Sequence, residues 1–328
     1  MAKAFQRRPL PLPARCLMGA WIHGVVAPMV HVFESLGVTE RVLRNTNAGH
    51  QKQLAKKNPF KGYVPGEHDV IIATYAKSGT NWMMQIAHQL LFHGKGEFNH
   101  IHDVVPWPDS PPPLGKYSIP LEDSSVWMAS PEKKRVIKTH MNWELIPYSE
   151  SARYIAVIRD PKDVFVSNYF FSKAIGGPAI PPLETWYRMF VSESFLVGGS
   201  WAVNAAGYWA QRHRPNVLVL SFKSMKRDLP ETVRRVAEFL DVRIADEVLE
   251  SVCAQAGFGY MKGIDSKFSV WKMTPWSSNG TMMRKGAQGG SSELLSAEQQ
   301  RHMDQYFMGE LKRLGCDLPY DEFCDLAP

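Results

Sequence analysis

Short apolar runs alternate with segments of helical period along this 328-residue chain, and polar or proline-rich stretches separate them. Val70-Ile71-Ile72-Ala73, Arg135-Val136-Ile137-Lys138-Thr139, Tyr154-Ile155-Ala156-Val157-Ile158 and Val217-Leu218-Val219-Leu220 are short and rich in β-branched residues. Each is bounded by polar positions and predicts a buried strand. Between them the period lengthens to that of a helix at about Asn81 to Phe92, Asp160 to about Ser172, Trp186 to Val191 and Trp201 to Trp209. Another helix follows Asp228, with Val233, Val236 and Leu240 on one face. Asp160-Pro161-Lys162-Asp163 supplies a cap, a proline at the first helical position and an acid in the first turn. Ser296-Ala297-Glu298-Gln299 has capping-box spacing ahead of the stripe Met303, Phe307, Leu311 and Leu314. Strands alternating with helices predict a parallel sheet covered on both faces.

Residues 1–66 read as an N-terminal extension and 67–328 as one α/β domain. Arg7, Arg8 and Arg15 followed by the apolar run Leu17 to Val26 superficially copy a signal peptide. His23 interrupts that run, no small-x-small cleavage signal follows, and the run is too short and interrupted for a membrane span. A helix packed on the domain, or lying on a membrane surface, is the expectation. Pro106, Pro108, Pro111, Pro112, Pro113 and Pro120 exclude regular helix or central strand from a long connection, and connections of that length tend to be functional.

Composition narrows the partners. A 45% hydrophobic chain of this length can bury a sizeable core, and a net charge of +6 favours anions in general. The basic excess is modest and contains no Arg-rich tract, which argues against a nucleic-acid partner. Cys16, Cys253, Cys316 and Cys324 lack C-x-x-C spacing, so neither a zinc site nor a dense disulfide framework is indicated, and a reducing, cytoplasmic setting is expected. His100 and His102 offer metal ligands only superficially, because no further ligand pair sits at standard spacing.

The segment Thr74-Tyr75-Ala76-Lys77-Ser78-Gly79-Thr80-Asn81-Trp82 carries the chemistry. A buried strand enters a turn, Gly79 permits close backbone approach, and the first amides of the next helix have no intrahelical partner. Those amides, the helix dipole and the Lys77 ammonium converge on a place suited to phosphate or sulfate. The lysine precedes the glycine and no glycine opens the loop, so this is not the G-x-x-x-x-G-K-[ST] triphosphate loop.

Tyr-x-Lys-Ser-Gly-Thr-x-Trp resembles the 5′-phosphosulfate loop of the cytosolic-type sulfotransferases, which use 3′-phosphoadenosine 5′-phosphosulfate (PAPS). Ala76 stands where that family usually has proline. Arg159 followed eight residues later by Ser167 resembles the family's 3′-phosphate motif, and Arg284-Lys285-Gly286 its Arg-Lys-Gly element. The family's following Asp-Trp is missing, since the chain continues Ala287-Gln288-Gly289-Gly290-Ser291-Ser292. The family's dimer-forming segment is absent as well. The resemblance implies a three-layer α/β/α fold with a P-loop-like strand-loop-helix, and PAPS held by Lys77, Ser78, Gly79, Thr80, Asn81, Trp82, Arg159, Ser167, Arg284, Lys285 and Gly286. By position, Trp82, Phe222 and Phe258 match residues that surround the adenine.

His140, in Val136-Ile137-Lys138-Thr139-His140, matches the family's Lys-Thr-His element, and histidine titrates where a base for an acceptor hydroxyl is needed. Lys77 and Lys138 would neutralise the transferring group, with no metal required. Trp107 and Phe171 fall where pocket residues are expected, which favours a hydrophobic alcohol, phenol or amine as the small-molecule acceptor. Two other readings stay open at this level: an ATP-Mg kinase, which normally carries Gly-Lys-Ser/Thr, and a nucleotide-binding protein without turnover.

Overall fold

The computed structural model describes residues 10–110, 117–193, 195, 199–270, 274–275, 281–286 and 289–327. Arg7, Arg8, Pro111 to Pro113, Ala287 and Gln288 lie outside these. Four strands form, β1 (Asp69–Thr74), β2 (Arg135–Thr139), β3 (Arg153–Ile158) and β4 (Val217–Ser221), and they pair in parallel in the order β2-β1-β3-β4. Ile71 sits between Ile137 and Tyr154, and Ala73 between Thr139 and Ala156. From β1 the chain therefore moves to one side for β2 and then across to β3.

The period-2 alternation sends Val70 and Ile72 to one core cluster and Ile71 and Ala73 to another. Helices α1 (Leu12–Ser35), with a π-turn at Ile22–Val26, and α2 (Thr39–Lys56) precede the sheet. Contrary to the expectation of a run too short to span a membrane, α1 is 24 residues long, because His23 is absorbed in the π-turn without ending the helix. By length and composition alone it is long and apolar enough to cross one. Next come α3 (Thr80–Leu91), α4 (Pro161–Gly176), α5 (Trp201–Trp209), α6 (Leu229–Phe239), α7 (Asp246–Ala256), α8 (Phe258–Gly263) and α9 (Ala297–Arg313). Residues of α3, α6 and α7 pack with Val70, Ile72, Val136 and Ile155 on one face. Tyr208 of α5 joins Phe60, Met141 and Tyr154 beneath Ile71 and Ala73, and Phe165, Trp186, Trp201 and Phe307 extend the core beyond β3.

The expected caps form. The Asp160 side chain accepts from the Lys162 amide at 2.8 Å, and Ser296 and Gln299 make a full capping box. Helix α4 runs to Gly176, one turn past the expected Ser172, because Ser172-Lys173-Ala174-Ile175 contains no breaker and the chain turns only at Gly177. The pattern gave no hint of the clamp at the opposite end of the sheet. Arg135 Nε donates to Asp69 Oδ1 at 3.0 Å, and the same guanidinium reaches the Tyr63 hydroxyl and the Leu121 carbonyl. Asp69 and Arg135 are both buried, so the first residues of β1 and β2 are fastened by a desolvated ion pair.

Candidate active site

Parallel strands bring their carboxyl ends to one edge, the usual ligand-binding edge of such sheets. Here Thr74, Thr139, Ile158 and Ser221 end the strands, so the Lys77 turn, His140, Arg159 and Phe222 emerge side by side. A cleft of about 890 Å³ opens over them. Every candidate named from the sequence borders it except Ser78, which is fully buried.

The turn after β1 is tight. The Ser78 amide donates to the Tyr75 carbonyl at 3.1 Å, and Lys77 (φ 70°) and Gly79 (φ 101°) are both left-handed. A side chain at Gly79 would place its Cβ 2.8 Å from the Phe222 ring, so glycine is needed for space as well as conformation. No side chain caps α3, and its first backbone bond runs from the Met83 amide to the Gly79 carbonyl at 3.0 Å. The preceding amides of the helix thus stay available to a ligand. Arg159 Nη1 supports the turn by donating to the Lys77 carbonyl at 3.1 Å.

Positive charge is concentrated and desolvated. Lys77 Nζ lies 4.0 Å from the centre of the Phe171 ring and Lys138 Nζ 3.4 Å from that of Trp107. Burial lowers the Lys77 pKa to about 8, with Arg159 and Arg284 adding to the effect and Asp265 opposing it. Burial lowers Lys138 to about 7 against the pull of Asp109, and Lys77 lowers it further. His140 is pushed down to about 3, first by burial and then by Lys138, while its bond to Thr74 opposes the shift. Two buried polar atoms at the turn, Ser78 Oγ and Arg159 Nε, have no protein partner. Unsatisfied buried polar atoms beside compressed cations fit an oxygen-rich anion such as the phosphosulfate of PAPS.

Aromatic rings line the neighbouring wall. The Trp82 indole N–H donates to the Ala256 carbonyl at 2.8 Å, and its ring meets Phe222 edge-on at 5.5 Å. Phe258 opens α8, and a Cβ on Gly286 would fall 2.1 Å from its ring. Only glycine lets the backbone lie that close, which seats the Arg-Lys-Gly element against this aromatic. Flat rings of this kind suit a nucleobase. The Arg284 guanidinium lies 4.5 Å from the centre of the Phe170 ring.

Three carboxylates pair with residues of the site; Asp163 falls at the i+4 spacing from Arg159, whereas Asp109 and Glu293 carried no sequence signal for their roles. Asp109, on the long connection, accepts the His140 amide at 2.8 Å; Asp163 lies 3.3 Å from Arg159; Glu293 binds both Arg284 and Lys285. An aspartate after Trp-Pro reads only as a turn residue, and Glu293 is nine residues from Arg284 with no periodicity to link them. His100 and His102 use ring nitrogens on the Ser269 and Val105 carbonyls, at 3.0 and 2.9 Å.

The sulfotransferase domain family matches residues 67–315. Sulfotransferase 2A1 of Macaca fascicularis is 29% identical over 281 residues, covering 84% of this chain and 94% of that protein. Sulfotransferase 2A6 of Mus musculus is 31% identical over 271 residues, covering 80% and 90%. Among solved structures, retinol dehydratase in complex with androsterone and the inactive cofactor PAP superposes with a TM-score of 0.67 at 20% identity, covering 82% of this chain and 88% of that one. The chain therefore belongs to the cytosolic-type sulfotransferase family and is a PAPS-dependent sulfotransferase.

Proposed function

We propose that the cleft transfers a sulfuryl group from PAPS to a hydroxyl or amine of a hydrophobic small molecule, with His140 as the base. The observation that carries this reading is the bond of His140 Nδ1 to the Thr74 carbonyl, 2.9 Å long. A carbonyl only accepts, so Nδ1 bears the proton and Nε2 keeps its lone pair for the acceptor. The turn amides, Lys77 and Lys138 would bind the phosphosulfate; Arg159, Ser167, Arg284 and Lys285 the 3′-phosphate; Trp82, Phe222 and Phe258 the adenine.

Burial holds His140 far below its usual range, and the positive charges of Lys138 and Lys77 add to that shift. With a phosphosulfate held by the two lysines, their share of the shift would be offset and the ring's basicity would rise by that share. In-line displacement would then need only orientation and charge stabilisation: the acceptor oxygen or nitrogen would bond to sulfur as its proton passes to Nε2 and the S–O bond to the phosphate breaks, with Lys77 balancing charge on the leaving oxygen.

Leu54, Trp107, Met141, Leu145, Phe171, Ile175 and Val270 give the remaining wall an apolar character, which supports a lipophilic acceptor. The androsterone found in the retinol dehydratase complex points the same way. Leu17, Trp21, Val25, Met29, Val32 and Leu36 of the α1 segment are exposed at three- to four-residue spacing. The π-turn of α1 packs against Gly177–Ala179, next to the end of α4, whose Phe171 and Ile175 line the cleft. With the exposed Lys52, Lys56, Lys57 and Lys61 nearby in sequence, this supports seating on an anionic bilayer, where lipid-soluble acceptors collect.

Calorimetric titration with 3′-phosphoadenosine 5′-phosphate (PAP), AMP and Mg-ATP tests the donor. Tight binding that requires the 3′-phosphate and ignores Mg²⁺ is expected; preference for Mg-ATP would overturn the assignment. Co-sedimentation with phosphatidylserine vesicles, lost in a Leu17→Glu/Trp21→Glu/Val25→Glu variant that keeps PAP binding, is expected for the bilayer contact. A soluble dimer dispersed by the same substitutions would refute it.

A further inference from the structure

Arg284 and Lys285 are already engaged. The two oxygens of the Glu293 carboxylate accept from Arg284 Nη1 at 2.9 and 2.8 Å, and Lys285 Nζ donates to Oε2 at 2.7 Å. Glu293 closes the 3₁₀ turn Gly290–Glu293, which follows Gly289 in the left-handed region (φ 76°). That turn is pinned from behind, since the Ser291 hydroxyl bonds Gln300 Oε1 of α9 at 2.8 Å and Leu295 is buried. The carboxylate is thus presented by an anchored turn to the same pair of cations that border the cleft.

A carboxylate offers these cations what two phosphate oxygens offer, a planar pair of charged acceptors. A 3′-phosphate carries more charge than one carboxylate, so it can take the cations over, but only after their present bonds are broken. We infer that Glu293 competes with the 3′-phosphate for Arg284 and Lys285 and so sets how tightly this enzyme holds its donor and its nucleotide product. The inference rests on the PAPS assignment above. It also gives the turn a role where the family's Asp-Trp is missing: the residues after the Arg-Lys-Gly element deliver a competing anion.

Glu293→Gln removes the competing charge and keeps the size of the side chain. It should tighten PAP binding by roughly two- to fivefold, the range of a partly exposed ion pair, and leave AMP binding unchanged. Repeating the comparison in an Arg284→Gln background should erase most of the gain, because the contested partner is gone. Unchanged or weaker PAP binding by Glu293→Gln, with wild-type discrimination of PAP from AMP intact, would overturn the competition alone. Wild-type protein that binds AMP as tightly as PAP would overturn the donor assignment together with it.

Discussion

His140 Nδ1 lies 2.9 Å from the Thr74 carbonyl oxygen, so the last residue of β1 orients the ring that follows β2. The two strands are neighbours, and the tautomer of the candidate base is fixed by backbone that the sheet already holds rigid. Replacing His140 with alanine should lower kcat by about 10²- to 10⁴-fold, the usual weight of general-base catalysis, with PAP affinity retained. Calorimetry beside a turnover assay separates the two quantities. Parallel loss of both would make His140 a binding residue instead.

Lys138 and Lys77 are lowered to about 7 and about 8, so between those values and the ordinary lysine range the free protein holds fewer protons than two charged lysines would. An anionic nucleotide placed against them favours their charged forms and raises both pKa values. The complex then binds more protons than the free protein, and PAP affinity must fall as pH rises from about 7 to 9. Titrations in buffers of different ionisation enthalpy should report net proton uptake at pH 8. Lys138→Met should flatten the lower part of the profile; an affinity independent of pH would contradict the arrangement.

Gly79→Ala introduces a side chain where φ is 101° and where the new Cβ would meet the Phe222 ring at 2.8 Å. The conformational term alone is about 1–2 kcal/mol. Displacement of Phe222 should then weaken PAP more than the thermal midpoint suggests. Differential scanning calorimetry with and without PAP measures both; equal midpoints and affinities would mean the turn readily rebuilds.

At the other end of the sheet, Asp69→Asn leaves Arg135 buried with a neutral partner. Breaking such a pair costs on the order of 3–5 kcal/mol, visible as a lower urea midpoint. Because the pair sits at the start of β1 and β2, away from the strand ends that carry the cleft, the folded fraction should keep its PAP affinity.

Much of this arrangement could be read from the chain because its signals are local. Each strand is a contiguous β-branched run, and Lys77, His140, Arg159 and Phe222 emerge just past one, so a parallel sheet brings them together automatically. What escaped depends on distant pairing. Asp69 and Arg135 are 66 residues apart, and Glu293 meets Arg284 across nine residues with no periodicity to link them. Periodicity cannot report a carboxylate's partner across such a gap. Helix α4 overran its expected end for a related reason: its terminus is set by the Gly177 turn rather than by a residue within the helical pattern.

The carboxyl-terminal residues reach the same neighbourhood. The Asp325 amide donates to Asp160 Oδ2 at 2.9 Å and the Ala327 amide to Asp304 Oδ2 at 2.9 Å, while Lys162 bridges Asp160 and Asp304. Asp160 directly follows Arg159 and caps the helix that carries Ser167. Removing the residues from Cys324 onward would therefore alter the mounting of Arg159 and register as weaker nucleotide binding.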